Sequence, residues 1–183
     1  MTEREYNSCQ ATLERNVSSR TSLLTFSFTT VLTILWIALS SDAKNVSPFA
    51  YLIPYLLIIP FEGRIAYYRL IHARISAYME LVIPQDRCLD IWGKAVPEKQ
   101  TRFFNIIAFL NNYEMLFLSV ATAIIFYTKY PFPTLKEFSL TDLFMLVIPI
   151  IASAFVGVIV AYTFNYNKWK KYYHCEWEKH LKL

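Results

Sequence analysis

The sequence predicts an all-α, polytopic helical membrane protein with four transmembrane helices and cytoplasmic helical extensions. Three observations carry that prediction: apolar runs long enough to cross a bilayer, a composition too greasy for a soluble domain of this size, and basic residues gathered on one side of the runs. Hydrophobic residues make up 55% of the 183, and aromatics 17%. A soluble chain of this length needs a more polar outer layer. We read residues 1–183 as a single membrane domain, with spans at about 21–41, 48–67, 106–128 and 141–164. A cytoplasmic central segment, 68–105, and a tail, 165–183, complete it.

The first 20 residues are polar, and Tyr6, Cys9, Leu13 and Val17 space a weakly amphipathic helix. The run TSLLTFSFTTVLTILWIAL follows without a charge, and at 1.5 Å per residue it covers the hydrocarbon thickness. Ala38-Leu39-Ser40 faintly resembles a signal cleavage site, but the run starts late and is long for a signal, so a retained span is expected. A polar turn, 40–48, leads into FAYLIPYLLIIPF. That run alone is short, which suggests a buried or re-entrant piece. It continues into RIAYYRLIHARISAYMELVI, whose long basic side chains reach the interface. Pro54 and Pro60 are expected to bend it.

Residues 84–100 hold two prolines, a glycine and six charges and read as a cytoplasmic loop. The next apolar stretch, 101–130, carries Asn105, Asn111, Asn112 and Glu114 in its first half and none in its second. PFPTLKEFS forms an external turn, and LTDLFMLVIPIIASAFVGVIVAYTF is the clearest span. The two external turns hold three basic residues, Lys44, Lys129 and Lys136; of the other fifteen, fourteen fall in the N-terminal tail, central segment and C-terminal tail, and Arg64 lies at the inner end of the second span. This positive-inside bias is expected to put both termini on the cytoplasmic side of the membrane. Cys9, Cys88 and Cys175 then share a reducing compartment, and no disulfide is expected.

Three constellations are candidates for function. In a helix over 64–83, Arg69, His72, Ser76 and Glu80 share a stripe, opposite an apolar face of Tyr67, Ile71, Ile75, Tyr78, Met79 and Val82. The stripe suits water, a partner helix or a lumen. Asn111, Asn112 and Glu114 lie in a hydrophobic run, where a carboxylate is costly unless hydrated or paired. The group suits a polar vestibule, bonds from Arg64 or Arg69, or the headgroup level, where a charge costs little. In the tail, Lys168, Lys170 and Lys171 interleave with Trp169 and Trp177, fitting either contact with the anionic inner leaflet or packing on the central helix. Nucleic-acid contact is not expected. His174 and His180 are six apart, not the i, i+4 of a ligand pair, so no metal or cofactor is expected. Nucleotide-binding loops, nucleophile elbows and zinc-protease motifs are absent from the sequence. So is an arginine followed five residues later by histidine, the pattern of HEPN ribonucleases.

The run PFEGRIAYYRLIHARISAYMEL resembles a pattern in small prokaryotic membrane proteins, where a span ends in proline and leads into an arginine-rich helix containing ARIxAY. The resemblance covers residues 20–95. The layout is also similar to the SLATT-type and type VI-B CRISPR-associated membrane effectors of antiviral defence. That similarity implies oligomeric pore formation or membrane depolarisation, with Arg64, Arg69, His72, Arg74 and Glu80 matching the arginine-rich helix. The expectation is a non-enzymatic, self-associating effector in the lipid bilayer, its lumen lined by Arg69, His72, Asn111 and Glu114. The alternative is an anchor or regulator that recruits a cytoplasmic protein partner. A lipid enzyme using Glu114 and His72 as acid and base is the third class.

Overall fold

A computed structural model describes residues 3–40, 47–82, 102–131, 133 and 139–181, with 48 and 102–112 by backbone alone. The described residues are helical, with no strand among them. The helices are α1 (Glu3–Ser40), α2 (Ile53–Val82, entered through a 3₁₀ turn at Pro48–Leu52), α3 (Arg102–Lys129), α4 (Leu140–Phe164) and α5 (Tyr166–Leu181). Three of them, α1, α2 with its preceding turn, and α4, are long and apolar enough to cross a membrane.

The polar N-terminus and the first apolar run are one uninterrupted helix. The short second run continues through Pro60 to Val82 as one helix. Pro54 sits in the first turn of α2, where a missing N–H breaks no intrahelical bond. Only Pro60, and Pro149 in α4, lie inside a helix. The start of α4 is fixed by a Ser139–Asp142 capping pair: the Asp142 N–H donates to Ser139 Oγ at 3.2 Å, and the Ser139 N–H donates to Asp142 Oδ2 at 2.9 Å.

The chain divides into two compact units. One comprises Thr21–Ala66 and Tyr113–Tyr162; the other takes the described parts of Met1–Arg20, Tyr67–Asn112 and Thr163–Leu183. They are described here as the apolar unit and the charged unit.

In the apolar unit, four helical stretches each contribute two residues to one core: Val31 and Leu35, Ile58 and Ile65, Met115 and Leu118, Val156 and Val160. The spacings of three, four and seven keep each pair on one helical stripe. A second cluster joins Ala38, Tyr51, Phe126 and Met145. The outer surface inverts the rule for soluble proteins. Trp36, Leu56, Ile151, Phe155 and Val158 are all more than half exposed. Only 22%, 39% and 28% of the three most apolar windows are buried. Apolar surface on that scale calls for a hydrocarbon solvent rather than water. Hydroxyls in the α1 run are satisfied within the helix: Ser27, Thr29 and Thr33 donate to the carbonyls of Leu23, Thr25 and Thr29 at 2.6–2.7 Å. That is how a Ser/Thr-rich run tolerates lipid.

Candidate functional site

In the charged unit, α2 continues beyond its apolar run and receives α5. The deeply buried residues of this stretch are small: Ala73 and Ala77 are 1% and 0% exposed, whereas Tyr67, placed on the apolar face, is 49% exposed. Alanines four apart let another backbone come close. The amphipathic reading of 64–83 missed this, because it weighted large apolar residues over small ones.

Much of the α2 polar stripe is engaged within the chain. Arg69 Nη1 donates to Thr163 Oγ1 at 3.2 Å. The His72 ring lies 5.6 Å from that of Tyr166. Glu80 pairs with Lys170 at 2.9 Å. Ser76 is half-buried on the same helix. Trp177 donates its indole N–H to the Arg74 carbonyl at 3.3 Å, packs 5.0 Å from Tyr78, and lies 5.4 Å beneath the Arg74 guanidinium. Of the two readings of the tail, the structure displays packing on the central helix. Asn165 starts α5 by accepting the Lys168 N–H at 2.9 Å. Lys168 and Lys171 are exposed. With Glu80, Asn167, Lys170 and His174, Lys171 lines a shallow groove of ≈ 270 Å³.

A larger cavity of ≈ 330 Å³ lies in the same unit, lined by Asn16, Arg20, Arg69, His72, Thr163 and Trp169, among others. His72, beyond the apolar run of α2, is held below the ordinary histidine range, first by burial and then by the positive charge of Arg20. It is therefore neutral at pH 7, able to donate from one ring nitrogen and accept at the other. The Asn16 Nδ2 donor is buried, with no hydrogen-bond partner among the described residues.

Of the lumen set, Arg69 and His72 line this cavity, and Glu114 belongs to the apolar unit, where it is half-buried. The side chains of Asn111 and Asn112 lie outside the described residues, as do Cys88 and the whole of the 84–100 loop.

The apolar unit also holds polar groups that sequence reasoning passed over. Glu62 is fully buried, at 0% exposure. In the sequence it looked like the polar end of FAYLIPYLLIIPF, and no one-dimensional signal separates a run's last residue from one facing inward. Tyr55, Ser119 and Ser153 tie α2, α3 and α4 together. The Tyr55 hydroxyl donates to the Ser119 carbonyl at 2.9 Å and lies 3.1 Å from Ser153 Oγ. Ser119 Oγ donates to Ser153 Oγ at 2.9 Å. Interhelical hydroxyl bonds of this kind hold helices in lipid, where the hydrophobic effect no longer discriminates between neighbours. No group of three or more metal-ligating side chains occurs among the described residues. No family model, curated protein or solved structure matches the chain.

Proposed function

We propose that the chain crosses the bilayer four times with both termini in the cytoplasm, and that it serves as a membrane-held regulator whose charged unit binds a soluble protein partner. The observation that carries the reading is the engagement of the α2 polar residues by α5 and by the end of α4. Arg69, Glu80 and Arg74 are used inside one chain, which builds a folded helical module rather than a free wall of charge. The exposed Lys168 and Lys171 supply a basic face on that module. The fourth span rests on the apolar second half of α3, IIFYTK included, and on the positive-inside distribution of charge.

Two measurements test this. Single-cysteine labelling in intact cells is expected to leave Cys175 protected from impermeant reagents and to label a cysteine placed at Lys44 or Lys136; labelling of Cys175 from outside ends the topology. Crosslinking through a photoreactive residue at Tyr172 is expected to trap a soluble protein, and Lys168→Glu with Lys171→Glu to abolish the adduct. An adduct unchanged by both charge reversals rejects recruitment through this face.

The second reading is the pore-like effector of antiviral defence that the resemblance implies, formed by several copies. The buried Glu62 favours it, since an ionisable group in a spanning segment commonly marks an ion path. Reconstituted liposomes separate the two: dissipation of an imposed potassium potential supports the pore, and a held potential rejects it.

A further inference from the structure

Lys168, Lys171, Tyr172, Cys175 and Lys179 are all exposed on α5. They recur at i, i+3, i+4, i+7 and i+11, which places them in one stripe about 100° wide. The other side of the helix serves the fold: Trp177 meets Arg74 and Tyr78, and Lys170 pairs with Glu80 at 2.9 Å. The acids of this region are engaged as well. Glu176 Oε1 accepts from Lys179 at 2.8 Å, and Glu178 lies 3.4 Å from His174 Nδ1. Among the described residues Lys168 and Lys171 form no ion pair. Two cations one helical turn apart, on an exposed face and without an acid, complement a surface that presents carboxylates at matching spacing. On one flank Lys171 lines the shallow groove of ≈ 270 Å³ with Asn167, Lys170 and His174, and the one acid among its lining residues, Glu80, is taken by Lys170. A carboxylate entering there meets an ammonium and an amide donor. Tyr172 adds a flat ring with a polar tip, of the kind enriched at protein interfaces.

We infer that the soluble partner docks an acidic segment along this stripe, with Lys168 and Lys171 as its charged contacts and Tyr172 as its aromatic one. The inference rests on the recruitment proposed above and names the chemistry of what is recruited. Anionic lipid carries the same charge but suits the face less well. A helix that settles into the headgroup boundary lowers Trp, Phe or Leu side chains into it. The outward stripe has none of these, and the tryptophans of α5, Trp169 and Trp177, are half-buried.

The full chain is reconstituted in phosphatidylcholine nanodiscs. Fluorescence anisotropy follows two labelled helical peptides, one with glutamates three and four residues apart, the other with glutamine in place of each glutamate. The glutamate peptide alone is expected to bind, and to bind more weakly as salt is raised. Lys168→Gln and Lys171→Gln are each expected to weaken it about two- to fivefold, the range that one exposed ion pair supplies. Lys168→Glu with Lys171→Glu is expected to weaken it about tenfold or more, since attraction turns to repulsion. Lys129→Gln removes one exposed charge at the end of α3 and is expected to bind like wild type. Helical circular dichroism shows that each variant keeps its fold. Acetylation of Lys168 and Lys171, read by mass spectrometry, is expected to slow under the glutamate peptide and to stay unchanged when phosphatidylglycerol is added to the discs. The inference is overturned if the glutamine peptide binds as tightly, if Lys129→Gln weakens binding as much as Lys168→Gln and Lys171→Gln do, or if the folded double reversal binds like wild type. It is overturned equally if phosphatidylglycerol protects both lysines without peptide, which gives the face to lipid. An adduct at Tyr172 with no binding of the glutamate peptide rejects the acidic segment and leaves recruitment standing; peptide binding with no adduct rejects recruitment and leaves the acid-binding face standing.

Discussion

Tyr55 concentrates three helices on one phenolic oxygen. Its hydroxyl meets the Ser119 carbonyl and Ser153 Oγ, and the ring is only 4% exposed. Tyr55→Phe keeps the ring and removes both contacts. The expected loss is about 1 kcal/mol, since a hydrogen bond inside a membrane bundle averages roughly 0.6 kcal/mol by double-mutant cycles. A thermal-melting series in detergent reads it, with Tyr162→Phe at an exposed position as the reference; equal melting of the two variants would show that the hydroxyl holds nothing. The cysteines make a second prediction at this scale. The Cys9 thiol is pushed up, first by burial and then by the negative charge of Glu5, so less of it is thiolate at neutral pH. Cys175 is exposed. In a chain with Cys88→Ser, a maleimide is therefore expected to modify Cys175 several times faster than Cys9 at pH 7, and raising the pH is expected to speed Cys9. Equal rates would contradict the burial of α1 at Cys9.

At the scale of elements, α5 is held by a few large contacts rather than by a continuous apolar seam, and none of its residues is fully buried. Trp177 makes three of those contacts: a hydrogen bond to the Arg74 carbonyl, a ring contact with Tyr78 and a cation–π contact with Arg74. Trp177→Ala is expected to weaken docking of the helix by about 1–3 kcal/mol, less than a fully buried aromatic would cost. Limited proteolysis checks it: cleavage within 166–181 should accelerate, while exposed Lys168→Ala leaves the rate unchanged. The helices themselves were largely legible in the sequence, because run length and lack of charge are one-dimensional properties. The run from Thr21 and the run from Leu140 both lie in helices of spanning character. What defeated the one-dimensional reading was anything set by which neighbour a residue meets. Ala73 and Ala77 look like filler, yet both are almost fully buried. The polar stripe Arg69–His72–Glu80 was visible as a stripe, but its partners Thr163, Tyr166 and Lys170 lie 90 or more residues away in the chain. The place of Pro54 was hidden for a different reason: a proline's effect depends on the turn it occupies, and the start of α2 was not fixed by any strong signal.

Across the whole molecule, the apolar unit turns its greasiest side chains outward and keeps hydroxyls and a carboxylate within. Such a surface suits lipid better than water, so alkaline carbonate is expected to leave the chain in the membrane pellet and detergent to release it; recovery in the carbonate supernatant would remove the basis for any spanning reading. Within that unit, Glu62 is the residue whose role separates the two functional readings. An ionised carboxylate there is costly unless its surroundings compensate it, at several kcal/mol per ion after relaxation. Glu62→Gln keeps the shape and most of the hydrogen-bonding capacity while removing the charge. If Glu62 serves only the fold, the glutamine variant melts within about 1 kcal/mol of wild type, the usual scale for one net hydrogen bond, and nothing else changes. If it serves an ion path, wild-type liposomes leak potassium, the glutamine variant leaks several-fold less, and both melt alike. A leak that persists undiminished in a well-folded Glu62→Gln chain would take Glu62 out of the path. A potential held by wild type and variant alike would leave the protein to the recruiting role, with Glu62 as a structural member of its membrane core.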